Sequence, residues 1–291
     1  MNAFMKAVAL LPIGLGSELM ILPDSLKNSI EEIRLRSTQA LSIVVNGTEE
    51  CIAPEHIINN DDLQGVLERA TNYSVHSYES SFSRGYIGVY GGIRLGVCGT
   101  GIIKNDKVCG FRNLSSLAIR IPHECIGCAA SIMAYLNNEP ENILIVSPPG
   151  VGKTTCMRDL IRFVSESGKR VSVVDERGEL AAAENGEIQF NLGKQTDVIS
   201  FVPKAVGAMM MIRAMNPQVL AMDEISSVED VDAIQTVCGC GVKLIATAHA
   251  DCFEDLYIRP VYRTLMDMKI FKYAVLITII SGNRYYRVKE L

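Results

Sequence analysis

With 291 residues, 48% hydrophobic and 21% charged, the chain has the composition of a folded protein and the length of two domains. Its formal net charge of −5 argues against holding duplex DNA by general phosphate attraction, which requires a basic excess. Nine scattered cysteines exclude the disulfide framework of a small secreted domain and fit a reducing cytosol, where free thiols pack mostly as small buried hydrophobes.

The N-terminal MNAFMKAVALLPIGLGSELMILP has one lysine, a proline-broken apolar run and no small-x-small cleavage site, so it reads as a capping helix and not as a signal peptide. Glu31 to Arg36 alternates apolar and charged residues as a half-buried strand does, and Leu41 to Val45 follows as a second strand closed by an Asn46-Gly47 hairpin turn. Asp61 to Asn72 reads as a short helix. From Tyr86 to Pro122 the text is glycine-rich and strand-like. There IRLGV and LAIRI place Arg94 and Arg120 on the face opposite their apolar neighbours, either in solvent or on the wall of a site. Cys125-Ile-Gly-Cys128 and Cys238-Gly-Cys240 lie far apart and one is C-x-C, so they do not make the two spaced pairs of a structural zinc site. The expected organisation is a smaller α+β N-terminal domain, residues 1–130, followed by an α/β domain, residues 131–291.

In the second half short apolar runs alternate with amphipathic segments: Ile143 to Val146, Val171 to Val174, Val219 to Met222, Val242 to Ala246 and Val275 to Ile280. Runs of this kind suit parallel strands covered on both faces. Met157, Leu160, Ile161 and Val164 form one helical stripe; Val231, Ile234 and Cys238 form another, behind a capping box read over Ser226 to Glu229. No apolar run is long enough to cross a bilayer.

Between the first of these strands and its helix lies Ser147-Pro148-Pro149-Gly150-Val151-Gly152-Lys153-Thr154, followed by Thr155. Apart from Ser147 at the first glycine, it matches the phosphate-binding loop G-x-x-x-x-G-K-[ST], in which glycines let backbone N–H groups close on phosphates. Lys153 suits the β- and γ-phosphates of ATP, and Thr154 suits Mg²⁺. Hydrolysis also needs an acid on the metal shell and a group that orients water. The strand ending in Asp223-Glu224 supplies both, Asp223 beside Mg²⁺ and Glu224 as the water's base. The strand before it ends in Asp175-Glu176, and the fourth strand ends in Thr247-Ala-His249, with His249 placed to sense the γ-phosphate. This is the layout of a RecA-like P-loop ATPase.

The segments VVDERGE, PKAVGAMMMIRAMNPQVLAMDEI and VKLIATAHA resemble the family of stage III sporulation protein AA, itself similar to the hexameric ATPases of type II secretion and type IV pili. EEIRLR and YGGIRLGVCG look like that family's N-terminal domain. The resemblance implies Lys153 and Thr154 as the Walker A pair, and Asp223 and Glu224 as the Walker B pair. It further implies an acidic box at Asp175 and Glu176, a histidine box at His249, and a matching arginine at Arg213. Arg94, Arg112 and Arg120 are candidates for the arginines that secretion ATPases bring to phosphates from their N-terminal domains. By the same resemblance the protein would be a cytoplasmic ATPase using ATP and Mg²⁺, assembled as a homo-oligomeric hexamer. It would dock on membrane proteins of a sporulation channel at the cytoplasmic face of a membrane, in the mother cell. Two alternatives stand beside this. A nucleic-acid-dependent RecA-like ATPase is disfavoured by 6% aromatics and no Lys/Arg run. A nucleotide-gated scaffold with little hydrolysis would have Ser147 as its mark.

Overall fold

The computed structural model describes residues 3–74, 82, 85–183, 186–280 and 282–291. The chain forms two compact units, Met1–His123 and Glu124–Leu291. Their division falls before the one read from the sequence at 130 and 131. Segment 124–130 packs with the second unit, because the Asp159 carboxylate accepts from Gly127 N (3.1 Å) and Ala129 N (2.8 Å).

In the first unit the N-terminal apolar stretch is two helices and not one. A turn in which Leu10 N donates to Ala7 O and Leu11 N to Val8 O closes α1 (Ala3–Val8), and Pro12, which has no N–H to give, stands at the N-cap position of α2 (Ile13–Met20). A single turn, α3 (Asp24–Lys27), leads into β1 (Ile30–Arg36), β2 (Ala40–Val45) and β3 (Thr48–Ile57). Then come α4 (Asn60–Ala70), β4 (Tyr86–Val89), β5 (Ile93–Lys104) and β6 (Lys107–Arg120). The strands form one antiparallel sheet in the order β3-β2-β1-β6-β5-β4. Because side chains alternate along a strand, one face buries Ile33, Leu35, Leu41, Ile43, Leu95 and Ile119 with Leu15 and Leu19 of α2 and Leu63 and Val66 of α4. The other face carries Glu32, Arg34, Arg94 and Arg120.

The second unit runs α5 (Ala130–Tyr135), β7 (Ile143–Ser147), α6 (Lys153–Glu166), β8 (Val171–Asp175), β9 (Thr196–Ser200) and α7 (Lys204–Met215). It continues with β10 (Val219–Met222), α8 (Val228–Gly239), β11 (Lys243–His249), a 3₁₀ turn (Glu254–Tyr257), α9 (Pro260–Asp267), β12 (Tyr273–Ile280) and β13 (Asn283–Glu290). Its seven-stranded sheet has the order β13-β12-β7-β11-β10-β8-β9. All pairs are parallel except β12 with β13. Ile143 and Ile145 point into a core built with Ile132, Leu160 and Ile161. Leu144 and Val146 point into a second core with Ala208, Met211, Val231 and Leu265. Both faces are therefore covered, as the continuous apolar runs require.

Three details differ from the sequence reading. Edge strands β9 and β13 carry no uniform apolar run, since both are half or fully exposed, and they were not expected. The capping box of α8 is Ser227 with Asp230, one residue later than Ser226 with Glu229, because Asp230 is the buried carboxylate. Of the nine cysteines only Cys156 is fully buried. Helix α7 approaches β8 closely at Gly207, where an added Cβ would lie 2.7 Å from Val174 Cγ1, on a side chain stiff at χ1. Gly207→Ala is therefore expected to destabilise the protein by about 1–3 kcal/mol, read as a lower midpoint in urea. An unchanged midpoint would contradict this packing.

Candidate nucleotide site

Strand β7 delivers the loop. Its last residue, Ser147, is fully buried and pairs in register with His249 of β11. The left-handed conformations of the loop fall on Gly150 (φ 78°) and Gly152 (φ 117°), not on Ser147, whose hydroxyl donates to Pro148 O at 2.8 Å. The departure from the motif thus sits where a side chain costs no backbone strain. Gly152 is required by its φ, and a Cβ there would also crowd Arg284 Nε at 3.0 Å, the atom that donates to Val151 O at 2.9 Å. Helix α6 then begins at Lys153, with Thr154 and Thr155 half-buried in its first turn. The free N–H groups and positive dipole end of this helix face the loop, an arrangement suited to a phosphate.

Lys153 is 8% exposed, and its ammonium donates to Ser147 O (2.9 Å), Pro148 O (3.1 Å) and His249 Nδ1 (2.8 Å). His249 Nε2 lies 3.2 Å from Glu224 Oε1, and Arg177 Nη1 lies 3.2 Å from Glu224 Oε2. With Lys153 as donor, Nδ1 accepts and Nε2 carries the imidazole proton that it gives to Glu224. Asp223 is anchored separately: its Oδ1 accepts from Thr247 Oγ1 (2.9 Å) and from Glu224 N (3.0 Å). Burial pushes the Lys153 pKa down against the pull of Glu224 and Asp223. Burial, helped by Glu179, pushes the Asp223 carboxyl up against its bond from Thr247. Each charge is uncomfortable as it stands.

Adjacent strands β8 and β10 bring Asp175, Glu176, Asp223 and Glu224 to one rim, but the four carboxylates do different work. Asp175 is fully buried and accepts from the N–H groups of Glu179 (2.7 Å), Leu180 (3.0 Å) and Ala181 (2.9 Å), so it shapes the following turn. Glu176 pairs with Lys204 at 3.3 Å. Arg213 is not brought to this cluster within the chain. It is exposed in the last turn of α7, which leads back to the opposite end of the strands. In the first unit Arg94 and Arg120 share a cleft of about 290 Å³ with Arg34, Arg36 and Tyr86, while exposed Arg112 lies outside it. Glu32 pairs with Arg34 (2.6 Å) and Arg120 (3.0 Å) there, and Arg36 pairs with Glu49.

Sequence reasoning gave no role to Lys204, Arg177, Tyr262 or Arg284. Tyr262 OH donates to Ile225 O (3.2 Å) and accepts from His249 N (3.1 Å), fixing the histidine's main chain. The one signal in the text was a lysine opening an otherwise apolar segment, Lys204-Ala-Val-Gly-Ala-Met.

The family model for sporulation stage III, protein AA, matches residues 17–284. Stage III sporulation protein AA of Bacillus subtilis is 36% identical over 268 residues, covering 86% of this chain and 87% of that protein. Among solved structures, the ATPase DotB of Yersinia pseudotuberculosis superposes with a TM-score of 0.65 at 13% identity, covering 95% of this chain and 79% of that one. The pilus retraction motor PilT with bound ADP superposes with a TM-score of 0.63 at 16% identity, covering 94% and 82%. These likenesses extend the fold of secretion and pilus ATPases to the α/β sheet described above. The family model's match along most of the chain and the identity to the Bacillus subtilis protein establish that the chain belongs to the sporulation stage III protein AA family.

Proposed function

We propose that this protein hydrolyses ATP with magnesium as a ring-forming motor, a hexamer, that energises a membrane-embedded channel during endospore formation. The observation that carries the reading is the convergence of Lys153, Asp223, Glu224 and His249 on one strand rim beside a glycine loop and a helix N-terminus. The family supports the sporulation role, and the fold shared with DotB and PilT supports the motor. From the family's sporulation role and the fold shared with secretion and pilus motors, we assign the chain to the cytoplasmic face of a membrane, docked on membrane proteins, in the mother cell. No helix among the described residues is long and apolar enough to cross a membrane.

The residues present fit the substrate and its metal. A buried ammonium held by two carbonyls and an imidazole is a cation waiting for a stronger acceptor, and the backbone of Ser147 to Thr155 forms the cradle. Thr154 and Asp223 would hold magnesium, which when bound neutralises charge on the phosphate oxygens. Lys153 turns from His249 to the β- and γ-phosphates. Glu224, held by His249 and Arg177, orients a water and takes its proton as the bond to the γ-phosphorus forms and the bond to the ADP oxygen breaks. His249 reports on this exchange because it touches both Lys153 and Glu224. Glu176 is the weaker base because its carboxylate serves Lys204. From the N-terminal unit, Arg94, Arg112 and Arg120 are the arginines we propose as candidates to serve the phosphates. In P-loop GTPases an arginine brought to the phosphates contributes about 10³–10⁵ in rate.

Lys153→Ala is expected to abolish turnover, and Glu224→Gln to bind MgATP while hydrolysing at least about 100-fold more slowly. Normal turnover in Glu224→Gln would transfer the base to Glu176. Ser147→Gly should leave affinity within about threefold, since Ser147 carries no left-handed backbone. A large gain on that substitution would instead support the scaffold reading. Asp223 gives a pH test. Its raised folded pKa means that its contribution to stability is present below the unfolded value near 3.8 and is lost as pH rises through the folded value. Asp223→Asn should therefore raise the metal-free Tm at pH 7, with the gain shrinking as pH falls toward the unfolded value. A lowered Tm at pH 7 would contradict the burial argument.

A further inference from the structure

Lys204, the first residue of α7, is a buried cation at 6% exposure. Its ammonium donates to Glu224 O at 2.6 Å and to Ser226 Oγ at 3.2 Å. It also lies 3.3 Å from Glu176 Oε2 and 3.3 Å from Asp230 Oδ2. One nitrogen therefore joins the segment after β8, the segment after β10 and the start of α8. Asp230 completes the clamp, since its Oδ2 accepts from Ser226 N (2.9 Å) and Ser227 N (3.1 Å). The turn from Glu224 to Ser227 is thus pinned at its carbonyl by Lys204 and at its amides by Asp230.

We propose that Lys204 is a positioning residue for hydrolysis, fixing the main chain from which the Glu224 carboxylate projects toward His249 and Arg177. The proposal rests on the reading of Glu224 as the base that activates water. A lysine that only balanced charge would need the two carboxylates alone. The bond to Glu224 O is the shortest of the four contacts, and it falls on the residue whose aim matters most. Displacing a reacting group by about 1 Å costs on the order of 10²-fold in rate, even when the altered residue never touches substrate.

Removing the ammonium would leave Asp230 and Glu176 without their cation, so Lys204→Met alone could fail through instability. The deciding comparison adds Lys204→Met/Asp230→Asn, in which the amide oxygen still accepts from Ser226 N and Ser227 N but no buried carboxylate is orphaned. MgATP affinity, turnover and Tm are measured for wild type, Lys153→Ala and both variants. The expected result is a double variant with wild-type Tm within a few degrees and affinity within about threefold, but turnover reduced about 30- to 100-fold. Wild-type turnover in the double variant, affinity falling in parallel with turnover, or a double variant that cannot fold would each overturn the proposal. A wild type no faster than Lys153→Ala would instead show that the hydrolysis reading had failed, and the positioning role with it.

Discussion

The parallel pairing of β7 with β11, with Ser147 opposite His249, sets the chemistry of the rim. A parallel sheet brings its strand ends out on one edge, and this register stops the loop strand level with the histidine strand. Lys153, in the first turn beyond the loop, then reaches both the carbonyls of Ser147 and Pro148 and the imidazole of His249. The pairing of β11 with β10 aligns Met222 with Ala246, which sets Asp223 beside Thr247 and allows their hydrogen bond. Covering helices on both faces hold these registers by burying Ile and Val side chains that a slipped strand would misplace.

Within that frame the charges are arranged in a state neither partner prefers. Burial works against the ammonium of Lys153 and against the carboxylate of Asp223. A bound phosphate would give the first a full counter-charge, and a divalent cation would do so for the second. The site is therefore less stable than its surroundings could make it, as functional sites often are. The neighbouring carboxylates show the contrast. Asp175 is satisfied by three backbone N–H groups, and Asp230 by two such groups and Lys204, so both build turns and neither waits for a ligand.

Much of this was legible in the sequence because strands buried on both faces must be written in Val, Ile and Leu, and because a glycine loop between such a strand and an amphipathic helix has few other uses. Edge strands β9 and β13 escaped because solvent on their exposed sides permits residues such as Arg284, Arg287 and Lys289. The cap of α8 slipped by one residue because two serines and two acids stand in succession, and only burial distinguishes Asp230 from Glu229. Lys204 was missed for a related reason: a lysine at a helix start reads as solvated, and only the tertiary fold shows three acceptor segments closing around it. Arg213 was drawn to the site by its motif, whereas the direction of α7 carries it to the far end of the strands.

The most direct measurement is a calorimetric titration of the purified chain with ATP, with and without magnesium, using Lys153→Ala as the blank. This account predicts one ATP bound per chain, tighter with magnesium, and binding lost in the blank. Failure of the wild type to bind, or equal binding by Lys153→Ala, would contradict the assignment of the rim as a nucleotide site.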